Sequence, residues 1–315
     1  MSTPTIPYTK GLHRLNDTCH AWLVPDGTWG WSNAGLITGD GESLLVDTLF
    51  DLAMTRDMLD GLRPVTDRAP IRTLVNTHAN GDHWFGNELI RDAEIITSAA
   101  TAEEMAANGP QLLTGLRTQP GAVGRFANHI FEPFDFSDIH PTLPTRTFDR
   151  ELTLDIGGTP AHIYNLGPAH TAGDSIVYVP ATKTLYAGDL LFIGGTPISW
   201  AGPVSNWVSA CQFMLDLDAD TIVPGHGPVT DKSGVQGVMD YLQFVETEAT
   251  ARHDAGMSAE DAMRDINLGR FAALDERGRL AQNVLAVYYE LDPTLERVDT
   301  LEVFSRIAAL EGWSA

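Results

Sequence analysis

Residues 71–87 read I-R-T-L-V-N-T-H-A-N-G-D-H-W-F-G-N. Ile71 to Asn76 is a short apolar run of strand character that feeds directly into a polar loop. Within six residues that loop carries His78, Asn80, Asp82 and His83. So short a segment forces its side chains to converge, and imidazole and carboxylate are strong ligands for a divalent cation. The bland alternative is a solvated turn in which Asp82 caps a helix starting near Trp84 and running over 85–92. Segments elsewhere in the chain decide between the two.

Three further stretches repeat the same grammar of apolar strand, Gly-containing turn and ligand-type side chain. His170 lies in G-P-A-H-T-A-G-D-S (167–175), Asp189 in Y-A-G-D-L-L (186–191) and His226 in P-G-H-G-P (224–228). Open α/β sheets carry their functional loops at the carboxyl ends of strands, so residues distant in sequence can meet at one rim. An unpaired carboxylate after a buried strand, as at Asp189, is costly unless a cation or a cap offsets it. The glycines around His226 give the backbone freedom to turn the imidazole inward. We read His78, Asn80, Asp82, His83, His170, Asp189 and His226 as one metal-binding set. His13, His20, His129, His140, His162 and His253 have no comparable context. Cys19 and Cys211 lack C-x-x-C spacing, so nitrogen and oxygen must hold any metal, with zinc expected.

Around these motifs, strands are expected at 20–24, 35–38, 43–47, 94–97, 152–156, 161–166, 175–179, 184–187 and 219–223. A helix is expected over 51–62, followed by a loop bracketed by Pro64 and Pro70. The stretch 108–147, rich in Pro, Gly and Phe, reads as a lid or pocket wall. From about residue 233 the spacing becomes helical, and helices from 281 onward are expected to pack on the sheet. The class is α/β: one domain over 1–315, with a metal-site core at about 33–229 and a helical segment at about 233–315.

Bulk properties narrow the function. With 43% hydrophobic and 20% charged residues the 315-residue chain has ordinary globular composition. No apolar run reaches the ~18 residues of a membrane span. The first 17 residues show neither a signal-peptide core nor an Arg-rich amphipathic pattern, so a cytoplasmic location is expected. The formal charge of −22, from 20 basic and 42 acidic residues, disfavours nucleic acid as a partner and reads as solubility.

The order H-x-x-x-D-H, then His, Asp and His, each after a strand, resembles the metallo-β-lactamase superfamily. L-L-V-D-T at 44–48 resembles its first motif, in which the Asp, here Asp47, supports the ligand loop. The likeness runs from about Asn33 to Val229. It implies an αββα sandwich with C-terminal helices outside. It also implies two divalent ions, one held by His78, Asn80 and His170, the other by Asp82, His83 and His226, with Asp189 and a hydroxide between them. Asn80 departs from the family's usual His; an amide oxygen is the weaker donor, so that site should bind less tightly.

A narrower likeness comes from W-G-W-S-N-A-G-L-I (29–37), V-D-T-L-F-D (46–51) and N-T-H-A-N-G-D-H-W-F-G-N (76–87), which are similar to the aromatic polyketide cyclases and thioesterases of this fold. That likeness implies aldol ring closure on a polyketide and its release from an acyl carrier protein by thioester cleavage. Asp82, or the bridging hydroxide, would then be the catalytic proton acceptor. Trp29, Trp31, Trp84, Phe85 and Trp200 are the expected substrate contacts, since aromatic rings near a metal rim suit a flat apolar substrate. An acidic carrier protein would need a local basic patch, with Arg117 and Arg125 the candidates. The alternatives are a glyoxalase II-like hydrolase of a small ester, lactone or thioester, and a non-catalytic binding protein with a degraded site. The sequence does not indicate an oligomeric state.

Overall fold

Alternation of side chains along the strands dictates the layering. The computed structural model describes residues 6–313; the first five residues of the N-terminal stretch read for targeting lie outside them. Seven strands form one sheet in sequence order: β1 (Gly11–Arg14), β2 (Cys19–Leu23), β3 (Ala34–Thr38), β4 (Ser43–Val46), β5 (Ile71–Val75), β6 (Glu94–Ser98) and β7 (Arg146–Phe148). β1 to β4 are antiparallel, whereas β4 to β7 run parallel. The second sheet has the order β12-β11-β10-β9-β8, from β8 (Glu151–Ile156), β9 (Thr159–Asn165), β10 (Ser175–Val179), β11 (Thr184–Tyr186) and β12 (Thr221–Val223).

In β4, Leu44 and Val46 face the second sheet while Leu45 faces outward; in β10, Val177 and Val179 face inward and Ile176 and Tyr178 outward. That period of two splits the apolar residues into three cores. One lies between the sheets, with Ile37, Val75, Ile163 and Val223. A second joins the outer face of the first sheet to helix α1 (Leu52–Thr66) through Leu36, Leu74, Met58 and Leu62. The third covers the outer face of the second sheet. The result is the expected αββα sandwich.

α1 begins where Asp51 accepts from Met54 N at 2.7 Å, a side-chain cap. It runs through Pro64 to Thr66, not ending before the proline as the sequence reading expected. Pro64 sits in the last turn, where its missing N–H forfeits a single helical bond. The helix expected over 85–92 is a brief 3₁₀ turn, Asn87–Ile90. The long stretch after residue 98 is helical: α2 (Ala99–Ala107), α3 (Gln111–Arg117) and α4 (Gly121–Phe131).

α5 (Val204–Asp216) lies within the metal-site core, and beyond it come α6 (Lys232–Asp254), α7 (Ala259–Asp265), α8 (Leu280–Leu291) and α9 (Thr300–Leu310). α5 and α6 cover the second sheet, and α8 lies against both. α9 packs on α4 and α8 rather than on a sheet. It thereby brings the C-terminal segment over the 108–147 excursion. No helix among the described residues is long and apolar enough to cross a membrane.

Candidate metal centre and substrate cavity

Five strand ends supply the centre: β4 leads to Asp47, β5 to the 78–83 loop, β9 to the His170 loop, β11 to Asp189 and β12 to His226. Backbone bonds lock these loops together. Ser175 N donates to Thr77 O at 2.8 Å and Gly225 N to Gly188 O at 2.8 Å. The side chain of Asn33 accepts from Val24 N and donates to Pro224 O and Gly227 O, tying the front of the chain to the His226 loop. Gly225 has a steric cause, because a Cβ there would overlap Asp189 Oδ1. Gly227 has a conformational one, a φ of 93°.

The side chains so placed form two triads, His78–His170–Asp189 and Asp82–His83–His226, each with donor atoms within 4.8 Å of one another. Asp189 lies between them: its Oδ1 is 3.1 Å from His83 Nε2, and its Oδ2 is 3.3 Å from His170 Nε2, 3.4 Å from His226 Nε2 and 3.6 Å from His78 Nε2. Asp82 Oδ2 is 3.2 Å from His226 Nε2. The Asn80 amide reaches the first triad, 3.1 Å from His170 Nε2, and turning that amide over would present its oxygen at the same place. All seven residues read as ligands are thus brought together.

Each imidazole is oriented through its other nitrogen. Nδ1 donates to Asp47 Oδ2 at 2.9 Å in His83, to Ile198 O at 2.6 Å in His170 and to Gly27 O at 3.1 Å in His226. In His78, Nδ1 lies 3.0 Å from Thr77 Oγ1, whose hydroxyl is committed as a donor to Asp47 Oδ2. All four rings therefore turn Nε2 toward the centre, the arrangement by which proteins present histidine to a metal. Asp174 braces the His170 loop, accepting from Thr171 N, Thr171 Oγ1 and Ala169 N.

The fit to cations follows from what is left unpaired. His78 Nε2, His83 Nε2 and Asp189 Oδ1 are buried without a hydrogen-bond partner among the described residues. His83 Nε2 and Asp189 Oδ1 lie 3.1 Å apart without the geometry of a hydrogen bond between them. Burial holds the His78 imidazole well below its usual range, with His83 adding to the effect, and lowers His170 to about 4. Burial also opposes the charged form of His226, but Asp189 and Asp82 outweigh it and lift that ring to about 9. Buried nitrogen and carboxylate donors in this proportion suit two divalent ions. The six His and Asp ligands are intact, which argues against a degraded site.

The triads open onto a cavity of about 290 Å³. Trp29, Phe85 and Trp200 line it, as the sequence reading expected. Trp84 does not: it is fully buried, donates from Nε1 to Ala79 O at 2.9 Å and packs behind the ligand loop. Trp31 also lies off the lining, turned onto Phe134 with ring centroids 4.8 Å apart. The sequence reading missed Leu116 and Phe131 of the 108–147 stretch, and Phe192, Arg279 and Phe304 beyond it. Leu116 and Phe131 fall in the stretch expected to form a wall; nothing local in the sequence marks the others.

A protein-family model described as the metallo-beta-lactamase superfamily matches residues 27–226. The chain belongs to that superfamily. A beta-lactamase-like protein 2 homolog of Caenorhabditis elegans is 33% identical over 245 residues, covering 76% of this chain and 71% of that protein. The alpha subunit of a 2,4-dinitroanisole O-demethylase from Nocardioides sp. is 27% identical over 213 residues, 65% of this chain and 54% of that one. Among solved structures, a stereoselective inverting sec-alkylsulfatase from Pseudomonas sp. shares the fold with a TM-score of 0.68 at 16% identity. That match covers 92% of this chain and 52% of the sulfatase. The chain thus spans about half the length of two of these three proteins. Six His and Asp side chains, with the Asn80 amide beside them, thus converge where a superfamily member would hold its metals.

Proposed function

We propose that this protein is a zinc-dependent hydrolase of an ester-type bond, oxygen ester or thioester, adjoining a flat apolar group, and that it acts in the cytoplasm. One observation carries the reading: Asp82, His170, Asp189 and His226 of the two triads line a cavity whose wall also includes the rings of Trp29, Phe50, Phe85, Phe131, Trp200 and Phe304. When bound, two divalent ions supply Lewis acidity toward a carbonyl oxygen and toward water.

The chain's own residues do the rest. His78, Asn80, His170 and Asp189 would hold one ion, and Asp82, His83, His226 and Asp189 the other. Burial works against ionisation of Asp82, but His83 and His226 outweigh it and hold its carboxyl below the usual range. Asp82 is therefore ionised at neutral pH, as a metal ligand must be, and is the carboxylate assigned to take a proton in this reading. The rings of Trp29, Trp200 and Phe304, with centroids 5.7 to 6.4 Å apart, offer faces and edges on which a planar group can lie. α3, α4 and α9 contribute the apolar side chains of Leu116, Phe131 and Phe304 to the cavity wall. The relative named for acting on 2,4-dinitroanisole is in keeping with an aromatic substrate.

The test offers aryl esters, aryl thioesters and short aliphatic thioesters to zinc-loaded and chelator-treated protein. Zinc-dependent hydrolysis with aryl preference is expected. Equal turnover in both preparations would remove the metal mechanism.

A second reading is aldol ring closure on an aromatic polyketide presented by an acyl carrier protein, favoured by aromatic residues on several sides of the cavity. Arg117 and Arg125, on the adjoining helices α3 and α4, are where an acidic carrier would dock in that case. A bicyclic polyketide thioester mimic separates the two: metal-dependent appearance of a cyclised product supports the cyclase, and the open-chain acid alone supports the hydrolase.

A further inference from the structure

Arg279 is the one Lys or Arg among the described residues lining the metal cavity. It directly precedes α8 and is 2% exposed. Its guanidinium carbon lies 4.1 Å from the ring centroid of Trp29 and 5.2 Å from that of Phe192. Nη1 donates to Thr196 O at 2.9 Å, and Nη2 pairs with Glu276 Oε2 at 2.8 Å. Glu276 is itself tied, accepting from Trp29 N at 2.8 Å. Nε–H has no partner among the described residues, and Nη1 and Nη2 each carry a second hydrogen beyond the contacts named.

A buried cationic donor left unmade is costly, and arginine's planar fork is shaped for oxyanions. Were Arg279 only a clamp for Trp29 and the 192–199 segment, its donors should all be used, and it would not line the cavity. Phe192 stacks on His226 with centroids 5.1 Å apart and planes at 5°, so one aromatic ring separates the guanidinium from a metal ligand. A substrate spanning that ring would reach both.

We infer that Arg279 is a specificity-determining residue that receives an anionic oxygen group of the substrate, a carboxylate in the simplest case, while the bond to be broken lies over the histidines. The second half of that statement rests on the hydrolase reading; recognition of the anion does not.

The test is binding, measured by titration calorimetry on zinc-loaded protein, with 2-naphthoate and its neutral counterpart 2-naphthamide as probes. A charge-assisted hydrogen bond should make naphthoate bind about tenfold or more tighter than the amide. That preference should fall to about twofold or less in Arg279→Met and survive in part in Arg279→Lys, since a point charge remains but the fork is lost. Glu276→Gln provides a second arm: it keeps an acceptor for Trp29 N and removes the competing charge, so the preference should grow. A wild-type preference retained in Arg279→Met means that the ions alone bind the carboxylate, and the inference fails. It fails also if wild type shows no preference or if Glu276→Gln leaves the preference unchanged or weaker. Arg279-dependent carboxylate binding without hydrolysis of any ester would leave this inference standing and remove the hydrolase reading. Hydrolysis without carboxylate preference would do the reverse.

Discussion

Asp47 Oδ2 accepts from His83 Nδ1 at 2.9 Å, and the same carboxylate receives Thr77 N at 2.7 Å and Thr77 Oγ1 at 2.8 Å. One side chain from the end of β4 therefore fixes both ends of the ligand loop that follows β5. Asp47→Ala should lower zinc affinity about 10- to 100-fold without removing a ligand, the usual effect of losing a carboxylate behind a metal-bound histidine. Competition against a chromophoric chelator measures it; unchanged affinity would show that the loop holds its shape unaided.

Asn80 offers an amide where an imidazole would bind more tightly. Asn80→His should retain more metal than wild type through dialysis against a mild chelator, moving the content toward two ions per chain. Asp189→Asn should weaken both positions at once, because Asp189 lies within 3.1 to 3.6 Å of four imidazoles. Elemental analysis reads both variants. Asp189→Asn losing a single ion, with the other retained at wild-type affinity, would contradict the shared role.

The metal-free protein should respond to pH through His83 and His226, since burial of both rings is outweighed by Asp189 and Asp82. His83 is held well above its usual range, and His226 is raised from 6.5 to about 9. The folded form thus binds both protons more tightly than the unfolded chain. The stabilisation from His226 is fully present below about pH 6.5 and is lost as pH rises through about 9. Metal binding requires the neutral ring, so loading at about pH 7.5 should release protons and apparent affinity should climb with pH over the same window. Calorimetry in two buffers of different ionisation enthalpy counts the protons; zero release would contradict the pairing.

Trp200→Ala and Phe304→Ala should raise KM for aryl substrates about 2- to 10-fold while leaving metal content unchanged, since each ring contributes a stacking face and neither touches a ligand atom. Trp84→Ala should behave differently, costing about 3–5 kcal/mol of stability as a buried aromatic truncation. Denaturant melts beside steady-state kinetics distinguish the two classes. A Trp84→Ala protein of wild-type stability with a selectively raised KM would reverse these assignments.

Cys19 and Cys211 are both buried, and burial pushes the Cys211 thiol up to about 12. A disulfide reagent should therefore label neither thiol in folded protein and both after unfolding. Rapid labelling of either under native conditions would contradict the packing.

The metal centre was legible because each ligand sits in a short motif whose local chemistry is visible without the fold. His78 to His83 are consecutive in the chain, and the turns around Asp189 and His226 advertise themselves through glycine. The cavity was less legible. Trp29 and Trp31 are two residues apart, yet one faces the cavity and the other turns onto Phe134, a difference of tertiary packing rather than composition. Trp84 follows the ligand loop directly and still points away, because the tight turn at Gly81–His83 rotates it into the core. Phe304 and Arg279 stand far from any motif: the docking of α9 on α4 and α8 brings in Phe304, and the packing of α8 on α5 and α6 brings in Arg279.

All the ion-holding atoms come from strand ends between residues 78 and 226, whereas much of the surface a substrate meets comes from helices inserted after β6 or appended after β12. The reactive apparatus and the recognition apparatus are thus separable pieces of polypeptide. Exchanging the inserted and appended helices for others should redirect such a protein to new molecules while its inorganic chemistry stays the same.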